Sequence, residues 1–353
     1  MKEVLFFGKL SYAKMEDEMV KYKLIDFKNH VVRIFWLSFL HLILYSLAYA
    51  QNDINEGIKL FEGNELSAAR TFFESYIKLN IENASAFFYL GRIYFKQNDN
   101  DKALKSLEQA IQINDRESDY HLWLGHTYGR KAQNAGLFNR LKLAKYSKAA
   151  YERAVEIDPS NAQARDGLME YLLQAPGIAG GSVDKAIEQA EEIKKLDRLR
   201  GHMAFVSIYG HEKKYDLQEE ELLAVIEKDP ESIGLKYQLG YNYVNQEKYE
   251  EAFTHFEKMM AVNPQDMNAY YQIGRTAAIS GQNLDRGIEC LQFYLNHDPT
   301  EGTPSHAAAH WRLGIVYEHK QDIDAAVEEY ETALKLEPEY KSAKDALKRL
   351  KKK

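Results

Sequence analysis

The chain has 353 residues, of which 45% are hydrophobic and 28% are charged, and its formal net charge is −7. Length alone would suggest two or three domains, with ample apolar material for a core. The acidic balance argues against general nucleic-acid binding. The only cysteine, Cys290, excludes a disulfide framework, and we expect it to be a small buried core residue.

Residues 31–50 are the first distinct segment of the chain. No Asp, Glu, Lys or Arg occurs over 34–50, several cations precede this run, and Ala-Tyr-Ala at 48–50 has the small-x-small form of a cleavage site. These features predict a signal peptide over 1–50, cut before Gln51. The mature protein is then expected in the periplasm or outside the cell.

Two properties of this leader leave alternatives open. Its apolar run approaches the length of about 20 residues that spans a bilayer, so an uncleaved inner-membrane anchor is the competing prediction. The leader is also long, and Met15 and Met19 lie upstream of its basic region, so either is an alternative start. The leader carries seven of the 46 Lys and Arg residues and five of the 53 Asp and Glu residues. The mature chain therefore has 39 basic and 48 acidic residues, a net charge of −9.

A phrase of Leu or Ile followed by Gly recurs along the rest of the chain, usually with Tyr three residues later. With weaker copies included, the corresponding positions are separated by 34, 34, 44, 37, 34, 34 and 40 residues: Gly57, Gly91, Gly125, Met169, Val206, Gly240, Gly274 and Gly314. Small residues at such places let two antiparallel helices pack closely. Each unit is therefore predicted to be a helical hairpin that stacks on its neighbours.

The best copies carry a known pattern. The last copy has the residues Leu313, Gly314, Tyr317, Ala326, Tyr330, Ala333 and Pro338, and the segments 84–117 and 233–266 follow it closely. On these residues the chain resembles the tetratricopeptide family over about 52–338. The resemblance implies an all-α, right-handed superhelical solenoid of about eight helical hairpins in an array over 51–338, followed by a capping helix over 339–353. The repeats around Met169 and Val206 depart most from the pattern.

The 44-residue interval contains an insertion near 130–146, between the two helices of the third repeat. Six cations and no acid occur between Arg130 and Lys148. Interleaved apolar residues predict a longer helical hairpin with one apolar stripe of Leu137, Phe138, Leu141 and Leu143. The functional hypothesis is a docking edge for an acidic protein or an anionic membrane surface, and the alternative is a solvated helix face. This basic edge consists of Arg140, Lys142, Lys145 and Lys148.

A glycine-rich insertion at 175–182 occupies the equivalent place in the next repeat. We expect it to lie beside the first insertion, with Ser182 as the N-cap of the following helix. The pairing resembles a group of exported bacterial tetratricopeptide proteins of unassigned activity. No strand precedes the loop and no Lys follows Gly181, so it does not have the form of a nucleotide-binding loop.

His306 and His310 are the best candidates for a metal site. With Thr303 as N-cap and Pro304 at the first helical position, they are predicted to share one face of a helix. Two ligands are too few for a structural zinc site, and the Glu of a zincin helix is missing. We therefore predict no metal and no cofactor. No catalytic signature stands out from the helical background, and the repeats and leader leave no second domain for an active site, so we predict no enzymatic activity, with a metal-dependent hydrolase as the second alternative.

The resemblance also implies a binding surface, because the first helices of the repeats line a concave groove in this family. Carrying its positions over, repeat by repeat, gives mostly the aromatic and arginine residues that dominate binding hot spots: Phe88, Arg92, Phe95, His126, Arg130, Tyr237, Tyr241, Tyr271, Arg275, Trp311 and Glu318. Packing between repeats is the alternative role for the aromatics. Chaperone-binding members clamp a terminal carboxylate with a Lys and an Asn, a pair that no repeat here has.

The main functional hypothesis is an exported scaffold that binds a protein or an extended peptide in this groove. The alternative is a membrane-associated envelope assembly factor, held by an uncleaved leader and by the basic insertion. Neither hypothesis predicts an oligomeric state or the identity of a partner.

Overall fold

The computed structural model describes residues 53–299 and 302–351. The predicted leader, its alternative starts and its cleavage point lie outside these residues. All regular structure in the described ranges is helical, with 17 α-helices, one short 3-10 helix at Gly177–Ala179 and no strand. None of these helices is both long enough and apolar enough to cross a bilayer.

The chain divides into two compact units, Met1–Asp158 and Pro159–Lys353. The first unit contains the helices α1 Ile54–Glu62, α2 Leu66–Leu79, α3 Ala84–Lys96, α4 Asn100–Ile113, α5 Ser118–Gln133 and α6 Leu137–Ile157. The second unit contains α7 Ala162–Gln174, α8 Val183–Leu196, α9 Arg198–His211, α10 Tyr215–Lys228, α11 Ile233–Asn245, α12 Tyr249–Val262, α13 Met267–Ser280, α14 Leu284–Leu295, α15 His306–His319, α16 Ile323–Leu336 and α17 Lys341–Leu350.

Consecutive helices pack in pairs, from α1 with α2 to α15 with α16. The first unit thus contains three helical hairpins and the second contains five, with α17 packed on α16 after the last hairpin. The predicted architecture of eight helical hairpins is confirmed. The weakest copies of the sequence pattern also form hairpins, because α7 packs on α8 and α9 packs on α10. Met169 in α7 and Val206 in α9 are both buried.

The repeat glycines allow the two helices of a hairpin to approach closely. A Cβ added at Gly240 would lie 2.4 Å from the ring of Phe256, and one added at Gly314 would lie 2.5 Å from the ring of Tyr330. Both rings are completely buried. The glycine and the large residue on the second helix therefore fit together, which is the physical basis of the repeated phrase.

Most turns inside the hairpins share one backbone feature, a non-glycine residue in the left-handed region. Asn64, Asn98, Lys213, Glu247, Asn283 and Gln321 have φ between 49° and 64°, and each lies between the two helices of its hairpin. The tight turn brings the second helix back antiparallel to the first. It also leaves the first helices of successive hairpins next to each other, as α13 and α15 are.

The insertion of the third repeat lengthens both helices of its hairpin. Helix α5 has 16 residues and α6 has 21. The predicted apolar stripe is only partly correct, because Leu137 is 66% exposed and Phe138 is 88% exposed, whereas Leu141 and Leu143 are half-buried. The first turn of α6 extends beyond the packed core, so nothing in the described chain covers these two side chains.

Local features of the second unit confirm some predictions and correct one. Ser182 caps α8 by accepting from the backbone N–H of Lys185, and Cys290 is completely buried. The predicted start of α15 is wrong, because Ser305 is the N-cap. The Tyr294 hydroxyl donates to the carbonyl of Pro304 and holds that residue outside the helix.

Candidate functional site

Phe88 and Arg92 lie on α3, where the groove was predicted, but they belong to a packed aromatic cluster. The guanidinium carbon of Arg92 is 4.6 Å from the ring centroid of Phe61, 4.7 Å from that of Trp123 and 5.3 Å from that of Phe88. Phe88 is 6% exposed, and burial lowers the pKa of Arg92. The next hairpin covers the ring of Phe88, which lies 4.7 Å from that of Tyr120, so Phe88 has the alternative role of packing between repeats.

Phe95, His126 and Arg130 join the second repeat to the third. The guanidinium carbon of Arg130 lies 3.4 Å from the Phe95 ring centroid, and its Nη1 donates to the Phe95 carbonyl over 2.6 Å. The Nδ1 of His126 is 2.8 Å from the hydroxyl of Tyr151, and burial lowers the pKa of His126 to about 4. All three residues are half-buried. Their contacts stabilise the stack, and Arg130 is not a freely available cation.

The basic edge keeps three of its four cations available. Arg140, Lys142 and Lys145 are exposed on the first half of α6. Lys148 is half-buried and forms an ion pair with Glu152 on the same helix. Three solvated cations of the basic edge therefore lie close to the exposed side chain of Phe138.

In the second unit, Tyr237 and Tyr271 are 9% and 6% exposed, so both have the alternative role of packing between repeats. The Tyr237 hydroxyl donates to Oδ2 of Asp266 over 2.7 Å. The ring of Tyr271 lies 5.4 Å from that of Tyr294. Like Phe88, both tyrosines precede a repeat glycine by three residues, a position that the next hairpin covers.

Trp311 also precedes a repeat glycine by three residues. Its hairpin is the last one, however, and is followed by the single helix α17 instead of another hairpin. Its ring lies 6.0 Å from that of Tyr340, at the start of α17, and it remains half-buried.

Residues directly after a repeat glycine form a second class. Tyr241 and Arg275 have this position, and both are half-buried and partly accessible.

Two arginines, Arg275 and Arg312, lie beside the accessible rings of Tyr241 and Trp311. Arg312 is not among the residues predicted from the sequence, because it lies beside Trp311 and not at a groove position of the family. Its guanidinium carbon is 4.1 Å from the Trp311 ring centroid, and that of Arg275 is 5.7 Å from the ring centroid of Tyr241. We call Tyr241, Arg275, Trp311 and Arg312 the inner face of the second unit.

Neither arginine of the inner face forms a hydrogen bond or an ion pair with another described residue. Nη1 of Arg275 and Nε of Arg312 are buried and have no acceptor. Burial lowers the pKa of Arg275, and the positive charge of Arg312 lowers it further. In contrast, Glu318, another predicted groove residue, accepts from Tyr330 and pairs with Arg349.

The two candidate metal ligands, His306 and His310, have different hydrogen-bond partners. The Nε2 of His306 is 2.8 Å from the carbonyl of His297, and the Nδ1 of His310 is 2.6 Å from a carboxylate oxygen of Glu329. Within the described ranges, no group of three or more His, Cys, Asp and Glu side chains is arranged to hold a metal ion.

Comparison with known proteins adds the context of a family. Family models described as "TPR repeat" and "Tetratricopeptide repeat" match residues 91–131, 233–266 and 307–340. The fold is similar to the crystal structure of a tetratricopeptide repeat protein from Parabacteroides merdae, with a TM-score of 0.51 and 13% identity. That match covers 74% of this chain and 96% of the other.

Two curated relatives are longer proteins, of which this chain matches only a part. RNA polymerase-associated protein CTR9 of Caenorhabditis elegans is 24% identical over 78% of this chain and 20% of its own length. The Hsp70-Hsp90 organizing protein of Triticum aestivum is 21% identical over 73% of this chain and 42% of its own length. The chain thus spans less than half of either relative.

The matched repeats coincide with the hairpins α11–α12 and α15–α16 and with the helices around Gly91. The chain contains tetratricopeptide repeats.

Proposed function

We propose that the protein is an exported scaffold that binds an extended peptide segment of a partner protein on the inner face of the second unit. The observation that carries the proposal is the inner face itself, where two aromatic rings and two arginines are partly accessible and the arginines have no hydrogen-bond or ion-pair partner among the described residues. Tyr, Trp and Arg are the residue types that most often anchor a partner. The relatives, whose names describe association with other proteins, are consistent with such a role.

Selection of a displayed random peptide library on the full chain tests the proposal. We expect peptides to be enriched on the wild type and to bind Tyr241→Ala/Trp311→Ala more weakly by a factor of about 30 or more, since one hot-spot side chain contributes about 2 kcal/mol. Tyr271 is left intact, because its buried ring supports the fold. Phe138→Ala, which removes an exposed aromatic ring from the first unit, is the control. Equal binding to the wild type and the double variant would rule out the inner face.

Export is the second part of the proposal, and the composition of the leader supports it. Mass spectrometry of the protein purified from the soluble envelope fraction of an expressing bacterium should find Gln51 at the N-terminus. A protein that retains the leader and fractionates with the membrane would overturn cleavage and support the anchored alternative.

A membrane-surface role of the basic edge is a second candidate function. Exposed Leu137 and Phe138 stand next to three solvated cations, a combination that suits the boundary of an anionic bilayer. Co-sedimentation with phosphatidylglycerol vesicles, but not with phosphatidylcholine vesicles, should be lost in Arg140→Gln/Lys142→Gln/Lys145→Gln. The matched control replaces the three exposed lysines Lys59, Lys78 and Lys105 with Gln. If both triple variants bind equally well, the basic edge has no such role.

A further inference from the structure

The guanidinium groups of Arg275 and Arg312 come from different repeats but lie on neighbouring helices. Arg275 follows the repeat glycine of α13, Arg312 precedes that of α15 by two residues, and α13 packs directly against α15. Each side chain has one buried nitrogen, Nη1 of Arg275 and Nε of Arg312, whose N–H donors have no acceptor. An unpaired buried donor destabilises the folded chain, and more so when the group is charged.

Other arginines of the second unit show that this lack of partners is unusual. Arg286 donates to both carboxylate oxygens of Glu257, over 2.7 and 3.0 Å, and to Glu289 over 2.6 Å. Arg200 donates to Asp166 over 2.7 Å. The half-buried Arg165 donates to the carbonyl oxygens of Pro159 and Gln189, over 2.8 and 2.9 Å. Two neighbouring arginines with neither an acid nor another acceptor among the described residues leave a local excess of positive charge. Burial lowers the pKa of Arg275, and repulsion by the positive charge of Arg312 lowers it further.

The surroundings of the two side chains also suit a ligand with negative charge. The rings of Tyr241 and Trp311 lie against the two guanidinium groups at the distances given above, which orders the long side chains before any ligand arrives. Tyr241, Trp311 and both arginines are half-buried, so the cluster is neither sealed in the core nor fully solvated. A guanidinium group presents a planar set of donors that matches the two oxygens of a carboxylate.

We propose that Arg275 and Arg312 form a binding site for the carboxylates of an acidic peptide segment, with Tyr241 and Trp311 as its aromatic contacts. This inference rests on the proposed function and specifies the chemistry of the partner. The carboxylates belong either to Asp and Glu side chains or to a chain terminus. Both sources satisfy the same donors, and the experiment separates them.

Fluorescence anisotropy with three labelled peptides on the full chain is the test. The probes are hexaglutamate with an amidated C-terminus, hexaglutamine with an amidated C-terminus, and hexaglutamine with a free C-terminus, all at low ionic strength, where charge attraction is least screened. We expect the wild type to bind hexaglutamate at least about tenfold more tightly than amidated hexaglutamine, which corresponds to about 1.4 kcal/mol. Tight binding of the free-terminus probe alone would assign the site to a chain terminus.

The variant Arg275→Gln/Arg312→Gln should lose this preference. Its matched control, Arg198→Gln/Lys335→Gln, changes the net charge equally at two exposed positions of the same unit and should keep it. Arg275→Lys/Arg312→Lys keeps the charge but loses the planar donors, so its preference should be intermediate. An equal loss in the control, or an unchanged preference in the Gln variant, would overturn the proposed site.

Thermal unfolding separates a binding role from a structural one. Without ligand, the Gln double variant should melt at or above the wild-type temperature, because it removes repulsion and unmet donors. Hexaglutamate should raise the melting temperature of the wild type but not that of this variant. If library peptides bind through Tyr241 and Trp311 while hexaglutamate does not bind, the carboxylate site is wrong and the proposed function stands. If neither binds, both are wrong.

Discussion

At the residue scale, the repeat glycines control how closely the helices of a hairpin approach. Helix α11 contains two glycines in opposite situations. A Cβ at Gly240 would meet the completely buried ring of Phe256, whereas a Cβ at Gly234 would have no neighbour within 4 Å. The same substitution at these two positions therefore separates packing from helix propensity.

We predict that Gly240→Ala lowers the free energy of unfolding by about 1–2 kcal/mol, because overpacking outweighs the helix propensity of alanine. Gly234→Ala should raise it by up to about 1 kcal/mol, since only the propensity changes. Urea denaturation of both variants measures the difference. Similar effects at the two positions would show that the close approach at Gly240 has no energetic weight.

The buried imidazole of His126 predicts a dependence of stability on pH. Its pKa is about 4 in the folded protein and about 6.5 in an unfolded chain. The unfolded state therefore binds the proton first as the pH falls, and stability decreases between about pH 6.5 and pH 4. From pH 7 to pH 5 this residue should lower the free energy of unfolding by roughly 1–2 kcal/mol. His126→Gln should lose less stability than the wild type over that interval, and an equal loss would contradict the assignment.

At the scale of elements, each hairpin buries its apolar surface only against its neighbours, and the last hairpin depends on α17. Ala343, Ala346 and Leu347 of α17 are buried in a cluster with Ala326 and Tyr330 of α16. The cations of α17 lie on its other faces, so the helix covers the apolar end of the stack with a polar surface.

Removal of residues 341–353 should therefore lower the melting temperature and increase amide hydrogen exchange in α16. Leu347 alone contributes about 1.5–3 kcal/mol by its burial. Removal of only 351–353 leaves the buried side chains of α17 in place and should have little effect. Equal effects of the two truncations would indicate that charge, and not packing, is the contribution of this segment.

At the scale of the whole molecule, the packing contacts of a helix are made mainly with the helices one or two places away along the chain. Stability in such an array is close to a sum of repeat terms and interface terms, and it is lost locally. The first and second units each follow this scheme, with the buried aromatic and aliphatic side chains spread along the stack and not gathered in one centre.

We predict that Gly314→Val, whose side chain would clash with Tyr330, increases hydrogen exchange in α15, α16 and α17 and leaves α9 and α10 protected. Hydrogen exchange measured by mass spectrometry resolves these helices. A uniform loss of protection over all five helices would show instead that the second unit unfolds as one cooperative body.

Prediction from sequence succeeded where the determinants lie within one repeat. The spacing of small residues predicted the hairpins, even around Met169 and Val206. The sequence pattern was less informative about the binding surface, because residues three positions before a repeat glycine were expected to be accessible. Tyr237 and Tyr271 are buried by the following hairpin, which a pattern within one helix does not reveal. The start of α15 was misplaced for a similar reason, since Tyr294 from the preceding helix holds Pro304.

The sequence by itself determined the type and number of the repeats, because glycine, alanine and the large residue opposite them are recognisable within about 34 residues. Only the tertiary structure decided which aromatic side chains are covered and which arginines lack an acid. Those properties depend on side chains from neighbouring repeats, whose contacts form only when the hairpins stack. Arg312 illustrates this most clearly, because its significance arises from Arg275 on the adjacent helix and from the absence of a carboxylate beside either residue among those described.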